Sequence, residues 1–400
     1  MTGLGADWRR LDGVPTAWFA APSMTAGASF AARALALDPD AAIDLRLDGV
    51  RVGLGPDTHA DTTRAVSEAA AESGLVGDPT PLARLSLVVE TRQPEALAPF
   101  WTSVLGYLST GEVLRDPLRR DPTIVLAAST QTRPLRSRLH VDVVRPAEVV
   151  AAVQPGEPSG PYGVRHADPD GNEVDLVPGD PLGDDAGTED WRVVFGALAC
   201  YRVDSAERAR DLALAVAEVA DDTGFPLLVD LRPGLVLVDS GKDRADADAH
   251  GLDLDFVDVA ARVQSAARAA GGVADVSVPR FVQIMIDATD VTAVRAFWAA
   301  VLGYVADRRD GLADLVDPRR LGPVVLFQDL DADDTERRSQ RDRQHLRLEV
   351  PHDLVEARVA AALRTGGRVL EETPASWRVA DPEGNEVVLV ATPTDADEGS

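Results

Sequence analysis

One ordered set of residues occurs twice in this chain, and any fold must house both copies. Phe100, Trp101, Val104, Leu105, Gly106 and Tyr107 return with the same spacing as Phe297, Trp298, Val301, Leu302, Gly303 and Tyr304. The ten residues Asp168–Val177, Asp-Pro-Asp-Gly-Asn-Glu-Val-Asp-Leu-Val, return as Asp381–Val390 with Glu383 for Asp170 and Val388 for Asp175. Between these blocks, Leu139–Val143 answers to Leu346–Val350. Blocks kept in one order mark a unit used twice, so two copies of one domain are expected near 82–178 and 279–392.

Periodicity supplies the parts of each copy. Arg84–Glu90 and Phe281–Asp287 are short, apolar and β-branched, and predict strands. Leu97, Phe100, Trp101, Val104 and Leu105 then fall on one helical stripe, as do Val294, Phe297, Trp298, Val301 and Leu302. Gly106 and Gly303 suit the caps of these helices, and Pro99 should disturb the first turns of its own. Ile124–Ala128, Val324–Gln328, Leu139–Val144 and Leu346–Val350 predict further strands. Each copy then closes with an Asp-Pro-(Asp/Glu)-Gly-Asn turn, whose Gly and Asn are expected to supply positive φ, and a final strand.

The preceding segments, 1–80 and 190–277, match each other more loosely. Ile43–Leu54 and Leu227–Val238 both predict strand–turn–strand, followed by helices over Asp61–Ser73 and Asp255–Ala270. Ser205–Ala220 predicts another helix, with Leu212 and Val216 inward. The expected fold class is α+β, with two small domains alternating with two copies of the repeated domain. Linkers are expected at 77–81, 178–190 and 274–279, and a disordered tail after Thr392.

Composition narrows the function. Forty Lys and Arg against 66 Asp and Glu give a net charge of −26. Phosphate binding requires cationic neutralisation, so neither nucleic acid nor an anionic membrane surface is an expected partner. Cys200 is the sole cysteine, which excludes an intramolecular disulfide and a cysteine-rich zinc site. No apolar run approaches the ~20 residues of a membrane span, and the N-terminus has no secretory pattern. A cytoplasmic protein is expected.

The Phe-Trp helix, the Leu139–Val143 strand and the Asp168–Val177 ending resemble the vicinal oxygen chelate superfamily, the group of glyoxalases, bleomycin-resistance proteins and extradiol dioxygenases. The resemblance covers both copies. It implies βαβββ modules curled into a cup, which in metal-dependent members holds a divalent ion on His, Gln and Glu side chains. Carried over residue by residue, the ligand places of the first copy fall on Ser86, His140 and Asp175. Those of the second fall on Gln283, Arg347 and Val388, with a further place near Gln328. Taken one cup per copy, neither set is a good metal site: the first is short of donors, and Arg347 would repel a divalent ion. No metal or other cofactor is therefore required. Arg347 must be paired if it points into the second cup: either Glu349 or Asp287 satisfies it within the protein, or the cup is an anion-accepting, metal-free pocket.

Other readings stand beside this one. Side chains alternate along a strand, so Arg138, His140 and Asp142 share a face, as do His345, Arg347 and Glu349. Such a stripe is either the solvated side of a half-buried strand or the lining of the cup. Trp101 and Trp298 are expected in the core, and Glu173 and Glu386 at the turn.

The segments 8–76 and 195–270 resemble pterin-4a-carbinolamine dehydratases in the hairpin that precedes a helix. That family's acid–base chemistry uses a His-His-Pro turn and a later Thr-His. Here the turns read Ala36-Leu-Asp-Pro39 and Gly224-Phe-Pro226, and only Thr58-His59 approaches the second motif. Both segments are expected to have lost the activity and to serve binding or dimerisation.

The leading functional expectation is a small-molecule-binding protein of the glyoxalase-like class. Its cups would be lined by Ser86, His140, Asp175, Gln283, Arg347 and Glu349. A metal-dependent lyase, isomerase or dioxygenase working through His140 and Asp175 is the alternative, followed by residual dehydratase activity through His59. Homo-oligomerisation stays open.

Overall fold

A computed structural model describes residues 4–153, 155–242, 250–309 and 311–392. The first segment runs β1 (Trp8–Leu11), β2 (Val14–Ala20), α1 (Met24–Leu37), β3 (Ala42–Arg46), β4 (Gly49–Gly53), α2 (Ala60–Glu72) and β5 (Val76–Gly77). The first copy of the repeat follows as β6 (Arg84–Thr91), α3 (Pro94–Leu105), β7 (Leu108–Thr110), β8 (Val113–Arg115), β9 (Thr123–Ala128), β10 (Leu139–Pro146), α4 (Ala147–Val153), β11 (Arg165–Ala167) and β12 (Glu173–Pro181). Then come β13 (Trp191–Val193), β14 (Ala197–Arg202), α5 (Ala206–Thr223), β15 (Leu228–Arg232), β16 (Leu235–Asp239), α6 (Phe256–Ala269) and β17 (Val273–Ala274). The second copy is β18 (Phe281–Ala288), α7 (Val291–Leu302), β19 (Val305–Ala306), β20 (Leu315–Val316), β21 (Val324–Asp329), α8 (Thr335–Ser339), β22 (Gln344–Val350), α9 (Val355–Arg364), β23 (Arg368–Thr373), β24 (Ser376–Ala380) and β25 (Glu386–Ala391). The tail expected after Thr392 lies outside the described residues. Among the described residues, no helix is long and apolar enough to cross a membrane.

These segments gather into two compact units, one from 4–82 with 179–280 and the other from 83–178 with 281–392. In the first unit, β3 pairs antiparallel with β15, so the two hairpins join into one sheet. Asp44 and Asp230 face each other in that register. Their charges are answered reciprocally: Arg232 donates to Asp44 at 2.6 Å and Arg46 to Asp230 at 2.7 Å, all four side chains being buried. Arg51 adds a second bond to Asp44. Buried carboxylates persist only when paired and hydrogen-bonded. Helices α1, α2, α5 and α6 share the apolar core of this unit. The sequence reading misses β1, β2, α1, β13 and β14. Their signal was present, since Asp7-Trp8-Arg9 returns as Asp190-Trp191-Arg192.

In the second unit, Gly106 and Gly303 cap α3 and α7 in the left-handed conformation, as expected. Pro99 lies inside α3 without ending it. The strands form two sheets, and each draws on both copies. One sheet has the order β23-β24-β25-β22-β6-β9-β8-β7. The other runs β11-β12-β10-β18-β21-β20-β19. The first half of each copy thus sits beside the second half of the other: β6 pairs with β22, and β10 with β18, both antiparallel. The expectation of one cup per copy is corrected here. Periodicity along a strand fixes which face is apolar, whereas the choice of neighbour depends on contacts distant in sequence.

Candidate functional site

On β10, β12 and β18, one face is apolar and belongs to the core: Leu139, Val141, Val143, Val174, Leu176, Val282, Ile284 and Ile286. Period-two alternation puts His140, Asp142, Asp175, Gln283, Met285 and Asp287 on the opposite face. The register sets Asp142 beside Gln283 and His140 beside Met285. This stripe is not a solvated side, because His140, Asp142 and Gln283 are all buried.

Crossing of the copies therefore assembles a donor set that neither copy holds alone. One ligand atom each from His140, Asp142 and Asp175 lies within 4.8 Å of the others. Gln283 Nε2 donates to Asp142 Oδ2 at 2.7 Å, which leaves the amide oxygen to turn elsewhere. His140 Nδ1, Asp175 Oδ1 and Gln283 Oε1 are buried and take part in no hydrogen bond. Each such group costs free energy when nothing satisfies it. Burial first, and then the nearby charge of Arg136, push His140 down to about 4, so the imidazole is neutral near pH 7. Burial raises the Asp175 carboxyl, against the pull of Arg165. One neutral imidazole, two carboxylates and one amide oxygen suit a divalent cation of borderline to hard character. No further ligand comes from β21, where Gln283 stands level with the aliphatic Val324. Gln328 is level with Asp287 instead.

The other sheet gathers the remaining expected residues. Ser86 faces Arg347, which in turn is level with Val388. Gln283 and Arg347 lie on different sheets, so the pocket expected to combine them does not form. Arg347 is tied to Glu349 at 3.0 Å and its side chain is 38% exposed. Asp287, its other expected partner, binds Arg337 instead.

Nearby acidic groups of this sheet are consumed by arginines in a chain. Glu90 accepts from Arg133 at 2.6 Å and Arg341 at 2.9 Å. Glu386 accepts from Arg341 at 2.6 Å and Arg378 at 2.8 Å. Glu386 and Glu173, expected at the turn, thus serve as arginine acceptors. His345, which sequence reasoning gave no role of its own, is buried 3.6 Å from Glu90 and pushed down to about 4 by that burial.

The Asp-Pro-(Asp/Glu)-Gly-Asn turns differ in detail from expectation. Gly171 and Gly384 have positive φ, at 79° and 92°, but the asparagines do not. Asn172 and Asn385 instead donate their side-chain amides to Asp168 and Asp381, both at 2.8 Å.

Two sheets built from both copies, one of them with a donor-rich face, define an α+β protein. The glyoxalase-like domain family matches residues 86–177 and 283–390, half of the chain. The chain belongs to that family, within the vicinal oxygen chelate superfamily. Similar solved structures include glyoxalase I from Zea mays, at 11% identity over 78% of this chain and 92% of that one, with a TM-score of 0.38. A hypothetical protein SA1046 from S. aureus is 14% identical over 27% of this chain and 89% of its own, with a TM-score of 0.23. A glyoxalase/bleomycin resistance protein from Albidiferax ferrireducens T118 is 20% identical over 27% of this chain and 95% of its own, with a TM-score of 0.21. Scores this low say nothing about chemistry. No curated protein matches the chain.

Proposed function

We propose that the sheet containing β10, β12 and β18 is a divalent-cation site that presents the metal to oxygen atoms of a small molecule. The observation that carries this reading is the convergence of His140, Asp142 and Asp175 within 4.8 Å, beside a Gln283 oxygen that has no hydrogen bond. His140, Asp175 and Gln283 would hold the ion, with Asp142 orienting Gln283 through its 2.7 Å hydrogen bond. A bound ion would act as a Lewis acid toward a chelated oxygen. This replaces the metal-free reading, which rested on one cup per copy. The sheet containing β22 and β25 takes no metal, because arginines already occupy its carboxylates.

The first unit is proposed to be dehydratase-like in arrangement and inert in chemistry. His59, the residue that the Thr58-His59 pair offers for acid–base work, is exposed and merely precedes α2, without a side-chain capping bond.

Metal content tests the main claim. Protein equilibrated with Mn²⁺, Ni²⁺ or Zn²⁺ and desalted should retain about one equivalent, and His140→Ala or Asp175→Asn should lower affinity by about 10-fold or more. This is the scale seen when metal sites lose a supporting group. Retention of no ion by the wild-type protein would end the proposal.

A further inference from the structure

Beside the proposed metal ligands sit two arginines that share one carboxylate. β11 pairs with β12 so that Arg165 is level with Asp175, and Ala167 with Glu173. Arg165 therefore lies on the same face as the donor set. Arg136 Nε donates to Glu173 Oε2 at 2.6 Å. Arg165 Nε stands 3.4 Å from that same oxygen and 3.9 Å from Asp175 Oδ1, yet makes a hydrogen bond to neither. Among the described residues, no protein acceptor takes a hydrogen bond from the terminal nitrogens of either guanidinium. The side chains are 33% and 27% exposed, so these nitrogens are reachable from solvent.

Arg165 is also held in place. Ser159 and Arg165 exchange backbone hydrogen bonds of 2.8 and 3.1 Å across the loop. Gly160, at φ 78°, lies under the arginine so closely that a Cβ there would come within 3.3 Å of it. The equivalent place on the other sheet is balanced: Arg378 has Glu386 at 2.8 Å and Glu371 at 3.7 Å, and Arg341 has Glu386 and Glu90. Beside the donor set, two guanidiniums share one carboxylate oxygen, and the second carboxylate near Arg165, that of Asp175, is itself a proposed metal ligand.

We infer that Arg165, with Arg136, is a carboxylate clamp that selects anionic ligands for the proposed metal site. The ligand class is a small oxygen chelator with a second carboxylate beyond its chelating pair. Arginine stays charged at all accessible pH values and offers a planar fork that matches a carboxylate. The inference rests on the metal reading for the chelating half of the ligand, and on Arg165 for the rest.

The test uses full-length, Mn²⁺-loaded protein, with ligand binding followed by water-proton relaxation. L-lactate and L-malate offer the metal the same hydroxy-acid chelate, and malate adds the second carboxylate. Malate should bind at least about 10-fold more tightly than lactate, the scale of a charged hydrogen bond. Arg165→Met should erase that preference while leaving Mn²⁺ affinity within about 3-fold, and Arg165→Lys should restore part of it. Equal binding of the two acids, or a preference that survives in Arg165→Met, overturns the clamp and leaves the metal reading standing. If Mn²⁺ does not bind at all, the metal reading falls. Malate binding to the metal-free protein, followed by ligand-observed NMR, then decides the clamp: loss in Arg165→Met supports it, and no binding in the wild type overturns it.

Discussion

Trp101 Nε1 donates to Asp168 Oδ2 at 2.9 Å, and this bond joins a helix packed on one sheet to the turn that opens the last strand of the same copy, which lies in the other sheet. Trp298 and Asp381 repeat it at 3.1 Å. The two most conspicuous blocks of the sequence repeat are therefore halves of one latch. Each latch stays within its own copy while the strands of that copy divide between sheets. The indole, the carboxyl and the Asn172 amide are all buried.

Loss of one donor to a buried acceptor costs about 1–3 kcal/mol. Trp101→Phe is expected to lower stability by that amount, seen as a lower urea midpoint at unchanged slope. Asp168→Asn in the same background should cost less than it does alone, because the partners are coupled. Strictly additive effects of the two changes would show that the bond does not matter.

The arginine–carboxylate chain on the other sheet makes a prediction about acid. Burial alone would raise Glu90, but hydrogen bonds from Arg341 and Arg133 outweigh it and hold the carboxyl below its ordinary value. Glu386 is lowered in the same way by Arg341 and Arg378. A folded value below the unfolded one means stabilisation that is complete above the unfolded value of about 4.3. It is lost as the pH falls through the folded values. Wild-type stability should therefore fall below about pH 4. Arg341→Met should shrink that acid-dependent part while also lowering stability at pH 7. An unchanged pH profile in Arg341→Met would contradict the role given to the chain.

Much of this architecture was legible, and the illegible part has one physical source. The stripe from Leu97 to Leu105 gave the helix because helical contacts are local. The alternation from Arg138 to Val143 gave the face of His140 for the same reason. Nothing local states that β10 chooses β18 as its neighbour, so position along the chain groups Gln283 with Arg347 and not with His140. The same limit hid the pairing of Asp44 with Arg232, which lie in separate segments and meet only through β3 and β15.

The first unit should not dehydrate carbinolamines. Acid–base dehydration needs a group that titrates near neutrality and is held against the substrate. The Asp38-Pro39 turn has no histidine, and His59 is exposed. Assays with a 4a-hydroxytetrahydropterin should give the uncatalysed rate, unchanged in His59→Ala. Turnover that disappears in that variant would restore the dehydratase reading.

The crossed sheets predict how the second unit behaves when cut. A fragment of residues 82–178 retains β6 without β22 and β10 without β18. It would leave two strand edges unpaired, together with part of a core shared by both copies. Exposed edges recruit other strands, so the fragment is expected to self-associate or stay unfolded, and 279–392 likewise. Co-expressed, the two should purify as a one-to-one complex by size-exclusion chromatography with light scattering. A self-associated 82–178 would combine Ser86 with His140 and Asp175, the grouping that one cup per copy had suggested. It would replace the amide oxygen of Gln283 by a hydroxyl, so its Mn²⁺ affinity should fall well below that of the mixed complex. A folded, monomeric 82–178 would show that the sheets do not depend on exchange between the copies.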